Sequence, residues 1–436
     1  MHFQFYPRPS NRLLWCYLSL CSCLLWATGT AYAGDSTLLS IDQALALAQE
    51  GNPGLAEIKA RAEAMAAIPS QEGALPDPML NFDTLNVPTN SFSLRKEDMT
   101  MLDFGISQTI PFPGKLALKE QVAEQEALAA ADSIHVARLR LNRDVKQAWW
   151  RLFYYERAMN VITESEQFFQ ALIDSAQSRY QLGQGQQQEV ILAQLERSKL
   201  KDEKIELLAM RHNAAIQFNT LLSRNPETPV LLPKQVPIKT LNLVAADLQT
   251  QAMEHSPLFE QHRKMLGAAK SRVELAEKDF YPDLTLGAGY AVRQNTATSE
   301  SRSDFASIRL SVNLPIYADQ KQSKALEQRN GELRREQYAL QDEHNKVHGD
   351  IAANTAQYLH ANERLALLEH ELLPQTQQAV NSLMAGYALG KVDFGNVLRT
   401  QLSLFQYQSQ YWKSLVESQQ LLAELSNLVG EDLNHD

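Results

Sequence analysis

Cysteine is nearly absent from this 436-residue sequence, and the three present, Cys16, Cys21 and Cys23, all fall within the first 33 residues. Glycine (18) and proline (17) are sparse as well. That argues against a loop-rich enzyme and for long uninterrupted elements. Hydrophobic runs of membrane-spanning length are missing. A mean hydropathy of −0.33 with 44% hydrophobic residues excludes a bundle of transmembrane helices, each of which needs about 20 apolar residues. A membrane β-barrel escapes this test, because its strands alternate apolar and polar. Basic residues are outnumbered, 41 against 51 acidic, which argues against a general nucleic-acid binder. No His-Glu-x-x-His, phosphate-binding glycine loop or Gly-x-Ser-x-Gly occurs. No catalytic residue and no cofactor is therefore assigned. Length alone suggests about two or three domains.

Residues 1–33 read as an export signal. Arg8 and Arg12 precede an apolar run from Leu13 to Trp26, and Ala31-Tyr32-Ala33 offers a small-x-small cleavage site. The run is too short to cross a bilayer comfortably. A rival reading attaches lipid at Cys23 after Leu20-Cys21-Ser22, but leaves the apolar Leu24-Leu25-Trp26 beside the anchor. Cleavage after Ala33 removes both arginines and no acid, so 39 basic against 51 acidic residues give a mature charge of −12. All thiols leave too, and stability has to come from packing or oligomerisation rather than disulfides.

The chain repeats itself. Tyr180-Gln181-Leu182-Gly183, Val190 and Gln194-Leu195 match Tyr387-Ala388-Leu389-Gly390, Val397 and Gln401-Leu402, each pair 207 apart. Gln108-Thr109-Ile110-Pro111 parallels Val312-Asn313-Leu314-Pro315, and Asn52-Pro53 parallels Ser256-Pro257, both 204 apart; Pro76-Asp77 parallels Pro282-Asp283, 206 apart. A duplicated unit follows, with repeats over 34–225 and 244–436 joined by a proline-rich linker, 226–243. Each half predicts an amphipathic helix (about Ile41–Ile68; Val244–Lys278), a strand pair, a very long helix (Leu116–Tyr180; Lys324–Tyr387), a glycine-containing turn and a closing helix (Gln188–Leu222; Asn396–Val429).

Leu141, Val145, Ala148, Leu152, Tyr155, Met159, Ile162, Glu166, Phe169, Ile173, Ala176 and Tyr180 recur in steps of four and three. This is a heptad seam with one polar interruption, and it predicts coiled-coil packing. Ile351, Asn354, Tyr358, Ala361, Leu365, Leu368 and Leu372 repeat the pattern until Pro374, which should kink the helix or shift its register. A helix of about 65 residues is about 95–100 Å long, the length of a tube or stalk rather than a globule. The aromatic cluster Trp149, Trp150, Phe153, Tyr154 and Tyr155 reads as helix packing.

The strands alternate. Leu284, Leu286, Ala288, Tyr290 and Val292 interleave with Thr285, Gly287, Gly289, Ala291 and Arg293. Ala306, Ile308, Leu310, Val312 and Leu314 interleave with Ser307, Arg309, Ser311 and Asn313, and Leu102, Phe104 and Ile106 with Asp103, Gly105 and Ser107. Met79–Val87 is the weakest of the four. Polar connectors follow, at Asn90–Asp98 and Gln294–Ser303. Strands of about ten residues suit a tilted bilayer crossing; the same pattern also suits a soluble hairpin packed on helices. Four strands cannot close a membrane barrel, whose smallest examples have about eight, so a spanning sheet would have to be shared between subunits.

The duplicated strand-pair and long-helix plan resembles the TolC-like outer-membrane efflux proteins over essentially the whole mature chain. Its sharpest marks are the paired Tyr-x-Leu-Gly turns and Gln108-Thr109-Ile110-Pro111-Phe112-Pro113-Gly114-Lys115. The Pro-Phe-Pro-Gly-Lys stretch, with Leu75-Pro76-Asp77-Pro78-Met79 before it, looks like the heavy-metal (CzcC- and CusC-like) branch. The resemblance implies a mainly α fold with a small β part: a coiled-coil helical tunnel in the periplasm and four strands per chain in a twelve-stranded outer-membrane barrel. It further implies a homotrimer in outer-membrane lipid, a periplasmic membrane-fusion adaptor and an inner-membrane pump of the resistance-nodulation-division (RND) type. The function implied is passage of heavy-metal cations, not reaction. Drug efflux or type I protein secretion by the same fold is the alternative, and a soluble periplasmic coiled-coil scaffold or adaptor is a second one.

By the same resemblance the hairpin tips, Leu182, Gly183, Gln184, Gly185 and Leu389, Gly390, Lys391, Val392, are where the adaptor docks. Family members often carry carboxylates just after the second tip; here Asn396 and Arg399 stand there instead. Glu189 and Asp393, paired with Lys391 or Arg399, are then the expected closing contacts of a tunnel gate, against the reading of solvated helix-end charge. His344 and His348, spaced i,i+4, are weak metal-ligand candidates on what reads as a polar helix face.

Overall fold

The computed structural model describes residues 38–238 and 240–433; the export segment, its cysteines and the cleavage site lie outside them. Short helices come first: α1 (Ile41–Gly51), α2 (Pro53–Ala66) and α3 (Ile68–Gly73). The sequence predicted one helix over Ile41–Ile68, and likewise one over Val244–Lys278. Both are broken, the second into α6 (Ala245–His255) and α7 (Pro257–Lys278). The reason is the Asn52-Pro53 and Ser256-Pro257 pairs. Proline cannot donate inside a helix but fits its first turn, and Asn52 caps α2 by accepting the Leu55 N–H at 3.1 Å.

Strands β1 (Met79–Leu85) and β2 (Met101–Ile110) lead into α4 (Lys115–Gln181), a single helix of 67 residues. The turn after it opens α5 (Gln187–Leu221). The described residues of the 226–243 segment form neither helix nor strand. They are tied down nonetheless: Val230 and Leu232 are buried, and Leu231 O accepts the Leu39 N–H at 2.8 Å. After α6 and α7 come β3 (Leu284–Val292), β4 (Phe305–Val312) and α8 (Gln322–Leu367). A π turn, Leu368–Leu372, carries α8 into α9 (Leu373–Ala388), and α10 (Phe394–Val429) closes the chain. Pro374 accounts for the π turn, since it lacks the N–H that would reach His370 O and its ring crowds that carbonyl. The expected register shift is thus absorbed without breaking the rod. α4 and the α8–α9 rod begin and end 207 residues apart, Lys115 with Gln322 and Gln181 with Ala388.

α4 packs along α5, α10 and α7. One core gathers Val145, Trp149, Phe153, Phe218 and Leu415; a second runs down the rods through Ile162, Phe169, Leu172, Tyr387 and Val397. The aromatic cluster is packing, as expected. Trp149 is fully buried, stacks on Phe153 at 5.6 Å and donates its indole N–H to Leu39 O at 3.0 Å. The one polar step of the seam, Glu166, accepts from Lys204 of α5 at 3.0 Å.

The Pro-Phe-Pro-Gly-Lys stretch is the joint between sheet and helices. Gly114 has φ +90° and starts α4, a conformation open to glycine. Phe112 stacks on Tyr281 at 4.5 Å. The buried Lys115 ammonium donates to Asp283 at 2.9 Å and to Tyr281 O at 3.0 Å, and the Asp283 carboxylate also accepts the Phe112 N–H at 2.8 Å. Burial works to raise the Asp283 carboxyl, but the bonds from Lys115 and Phe112 outweigh it and hold it below its usual value. Lys115→Ala, which strands Asp283, should cost about 3 kcal/mol in thermal or denaturant unfolding. The contribution of this pair is complete above about pH 4, the unfolded carboxyl value. It fades as the pH falls through the lowered folded value.

Candidate functional site

The four strands form one antiparallel sheet in the order β1-β2-β3-β4. Its register sorts side chains by parity. Leu80, Ile106, Ala288 and Ile308 form one cross-strand row; Phe82, Phe104, Tyr290 and Ala306 form the next. This apolar face is bare, with Ile308 91% and Leu80 84% exposed. The opposite face carries the polar residues and is the more enclosed. Asn81 donates to Ser107 Oγ at 3.2 Å, and the Thr109 and Thr285 hydroxyls lie 3.1 Å apart. Asp103 is 5% exposed, with Oδ2 3.8 Å from Arg309 Nη2. Gly289 makes the room: a Cβ there would sit 2.9 Å from Asp103 Oδ1 and 2.8 Å from Ser307 Oγ. A sheet in water buries its apolar face; this one does the reverse, the signature of strands with lipid outside and water inside.

At the far end of the rods, the two hairpin tips use one cap. The Gly183 N–H donates to Tyr180 O at 3.0 Å and the Gln184 N–H to Arg179 O at 2.8 Å. In the second repeat the Gly390 N–H donates to Tyr387 O and the Lys391 N–H to Gly386 O, both at 2.9 Å. Gly183 and Gly390 each have φ +71°, the left-handed residue that ends a helix in this motif. Leu182, Gly183, Gln184, Leu389, Gly390 and Lys391 are exposed, while Gly185 and Val392 are half-buried.

The tips are joined by residues that the sequence did not single out for this role. Arg179 donates to Tyr387 O and, at 3.0 Å, to Gln184 O, and its guanidinium lies 4.5 Å from the Tyr387 ring centroid. The Tyr387 hydroxyl donates to Glu189 Oε2 at 2.9 Å. Burial and the Glu189 carboxylate together raise the Tyr387 phenol above its ordinary value. A signal was present in the sequence: Arg179 stands where the second repeat has Gly386, so the two tips differ at the point of contact. The expected pairing of Glu189 and Asp393 with Lys391 or Arg399 is not formed within the chain. Glu189 is engaged by Tyr387, and Asp393 caps its own helix by accepting the Gly395 N–H at 2.8 Å. Asn396 and Arg399 are exposed on the first turns of α10. His344 and His348 do come together, their rings stacked at 4.3 Å, but no three His, Cys, Asp or Glu side chains converge on a metal position among the described residues.

Residues 248–431 match the family described as Outer membrane efflux protein. This match covers most of the second repeat and leaves the first outside it. The chain's β-sheet and paired rods are those of solved outer-membrane channels. VceC, an outer membrane protein of Vibrio cholerae, superposes with a TM-score of 0.77 at 18% identity, covering 90% of this chain and 97% of that one. CusC superposes with a TM-score of 0.75 at 16% identity, covering 90% and 92%. In sequence the chain is 26% identical over 197 residues to the cobalt-zinc-cadmium resistance protein CzcC of Cupriavidus metallidurans. That alignment takes in 43% of each chain, so it spans less than half of the relative's length.

Two measurements check these sites. Ile308→Arg puts a charge on the bare apolar face and should cost about 2–4 kcal/mol of membrane-inserted stability, read as lost heat-modifiable migration and lost outer-membrane fractionation. Tyr387→Phe removes a hydrogen bond to a charged group, worth about 1.5–3 kcal/mol, and should speed hydrogen exchange at the tips while leaving the strands unchanged. The raised phenol keeps that bond whole up to about pH 10, the ordinary phenol value, and loses it as the pH climbs further; wild type and Tyr387→Phe should therefore converge in alkali.

Proposed function

We propose that this chain is one third of a trimeric exit duct serving a tripartite efflux pump. The observation that carries the proposal is the inverted sheet. Its apolar rows suit lipid, its polar face suits a water-filled lumen, and β1 and β4 leave both sheet edges unpaired. An unpaired edge is a template for another strand. Three copies, edge to edge, give a closed barrel of twelve strands, each repeat contributing one strand pair and one helical hairpin. Unpartnered apolar side chains on α5, including Ile191, Leu195, Ile205 and Leu208, suit contact with a neighbouring copy.

The partners in this reading are a periplasmic adaptor at the hairpin tips and an inner-membrane pump of the RND type that supplies the energy. The cargo is heavy-metal cations. The Pro-Phe-Pro-Gly-Lys stretch and the likeness to a cobalt-zinc-cadmium resistance protein support that choice over drugs or secreted proteins. The gate in this reading is the tip, where the Tyr387–Glu189 bond and the Arg179 clamp hold the second hairpin against the first. Asp393, Asn396 and Arg399 sit on the α10 side of that contact.

Deletion of the gene should sensitise cells to metal ions and leave tolerance to a drug panel unchanged; sensitivity to drugs alone overturns the cargo. In planar bilayers, Tyr387→Phe combined with Glu189→Ala should raise the single-channel conductance of the purified duct several-fold. Unchanged conductance removes this contact from the gate.

A further inference from the structure

The imidazole pair on α8 has a third companion that spacing could not reveal. Met253, in the last turn of α6, places its Sδ 3.4 Å from His344 Nε2. One helical turn on, the His348 ring stacks against the His344 ring at 4.3 Å. The His348 Nε2 is enclosed and has no hydrogen-bond partner. The Phe259 ring lies 5.9 Å from His344 and screens one side. The nearby carboxylate of Asp342 is taken up by Lys346 at 2.6 Å.

We propose that Met253, His344 and His348 form a binding site for a soft monovalent cation, Cu(I) or Ag(I). Metal–imidazole nitrogen bonds are about 2.0 Å and metal–sulfur bonds about 2.3 Å. Spread over a trigonal or tetrahedral angle, those bonds set the nitrogen and sulfur about 3.5–3.7 Å apart. The observed 3.4 Å lies just inside that spacing, and the stacked His348 ring has to turn to bring its Nε2 to the same ion. The donor set decides the ion. A thioether selects copper(I) over harder metals, and imidazole accommodates it. All three donors are uncharged when they bind, so a monovalent ion leaves less uncompensated charge at the site than a divalent one. His348 Nε2 gains the partner that it lacks. The site stands on α6 and α8, away from the hairpin tips. It does not depend on the duct reading, and its test reads binding rather than export.

The purified full-length chain in detergent is titrated with Ag(I) and with Cu(I) against a competing chelator. One ion should bind per chain. Met253→Leu, which keeps the volume, and His344→Gln should each weaken binding at least tenfold, and the two together at least a hundredfold. The melting temperature without metal should stay at the wild-type value. X-ray absorption at the copper edge should show one sulfur neighbour that Met253→Leu removes. Undiminished affinity and an intact sulfur shell in Met253→Leu overturn the proposal, as does Zn(II) binding as tight as Ag(I).

Discussion

The packing of α4 is the constraint on which everything else rests. A helix about 100 Å long cannot be stable in water on propensity alone, so it has to be covered along its length. α5 lies along one side and α10 along another, while α7 and the three short N-terminal helices cover its upper part. Val145, Trp149, Leu152, Phe153, Ile162, Phe169 and Leu172 are buried in consequence. One helix touches both repeats, so the halves share a core. The division into separate domains that the length suggested has no counterpart in the packing.

Between the rods and the sheet the chain reverses its solvent logic within a few residues. Below the joint, apolar side chains point inward. Above it, they point outward. Lys115, Asp283 and Phe112 hold that reversal in place by fixing the start of α4 to the start of β3, a bond from one repeat to the other. In the second repeat the residue matching Lys115 is Gln322, whose side-chain oxygen has no partner. The joint is therefore built once, across the repeats, rather than twice within them.

The same asymmetry governs the rods. The first is α-helical throughout, and the second takes a π turn below Pro374. The caps that end them are identical in pattern, but the side chains around them are not. Arg179 and Glu189 of the first hairpin enclose Tyr387 of the second. Duplication supplied two similar hairpins; divergence at 179/386 and 189/396 turned one tip into the holder of the other.

The sequence by itself determined the periodic features. Heptad steps marked the seam of each rod, parity fixed which strand face is apolar, and glycine after Tyr-x-Leu fixed where the hairpins turn. These are properties of a residue's own neighbours, and they survive without knowledge of the fold. Only the tertiary structure decided what each face meets. Tyr180 and Tyr387 occupy equivalent places in the repeat, yet the first is 47% exposed and the second 1%, because Arg179, Phe394 and Glu189 close over the second alone. Glu189 was expected to meet Lys391 or Arg399, and the fold places Tyr387 against it instead. His344 and His348 looked like a solvated face until α6 brought Met253 to them. Contacts between residues 91 or 198 apart leave no local trace, since chain folding rather than spacing makes them neighbours.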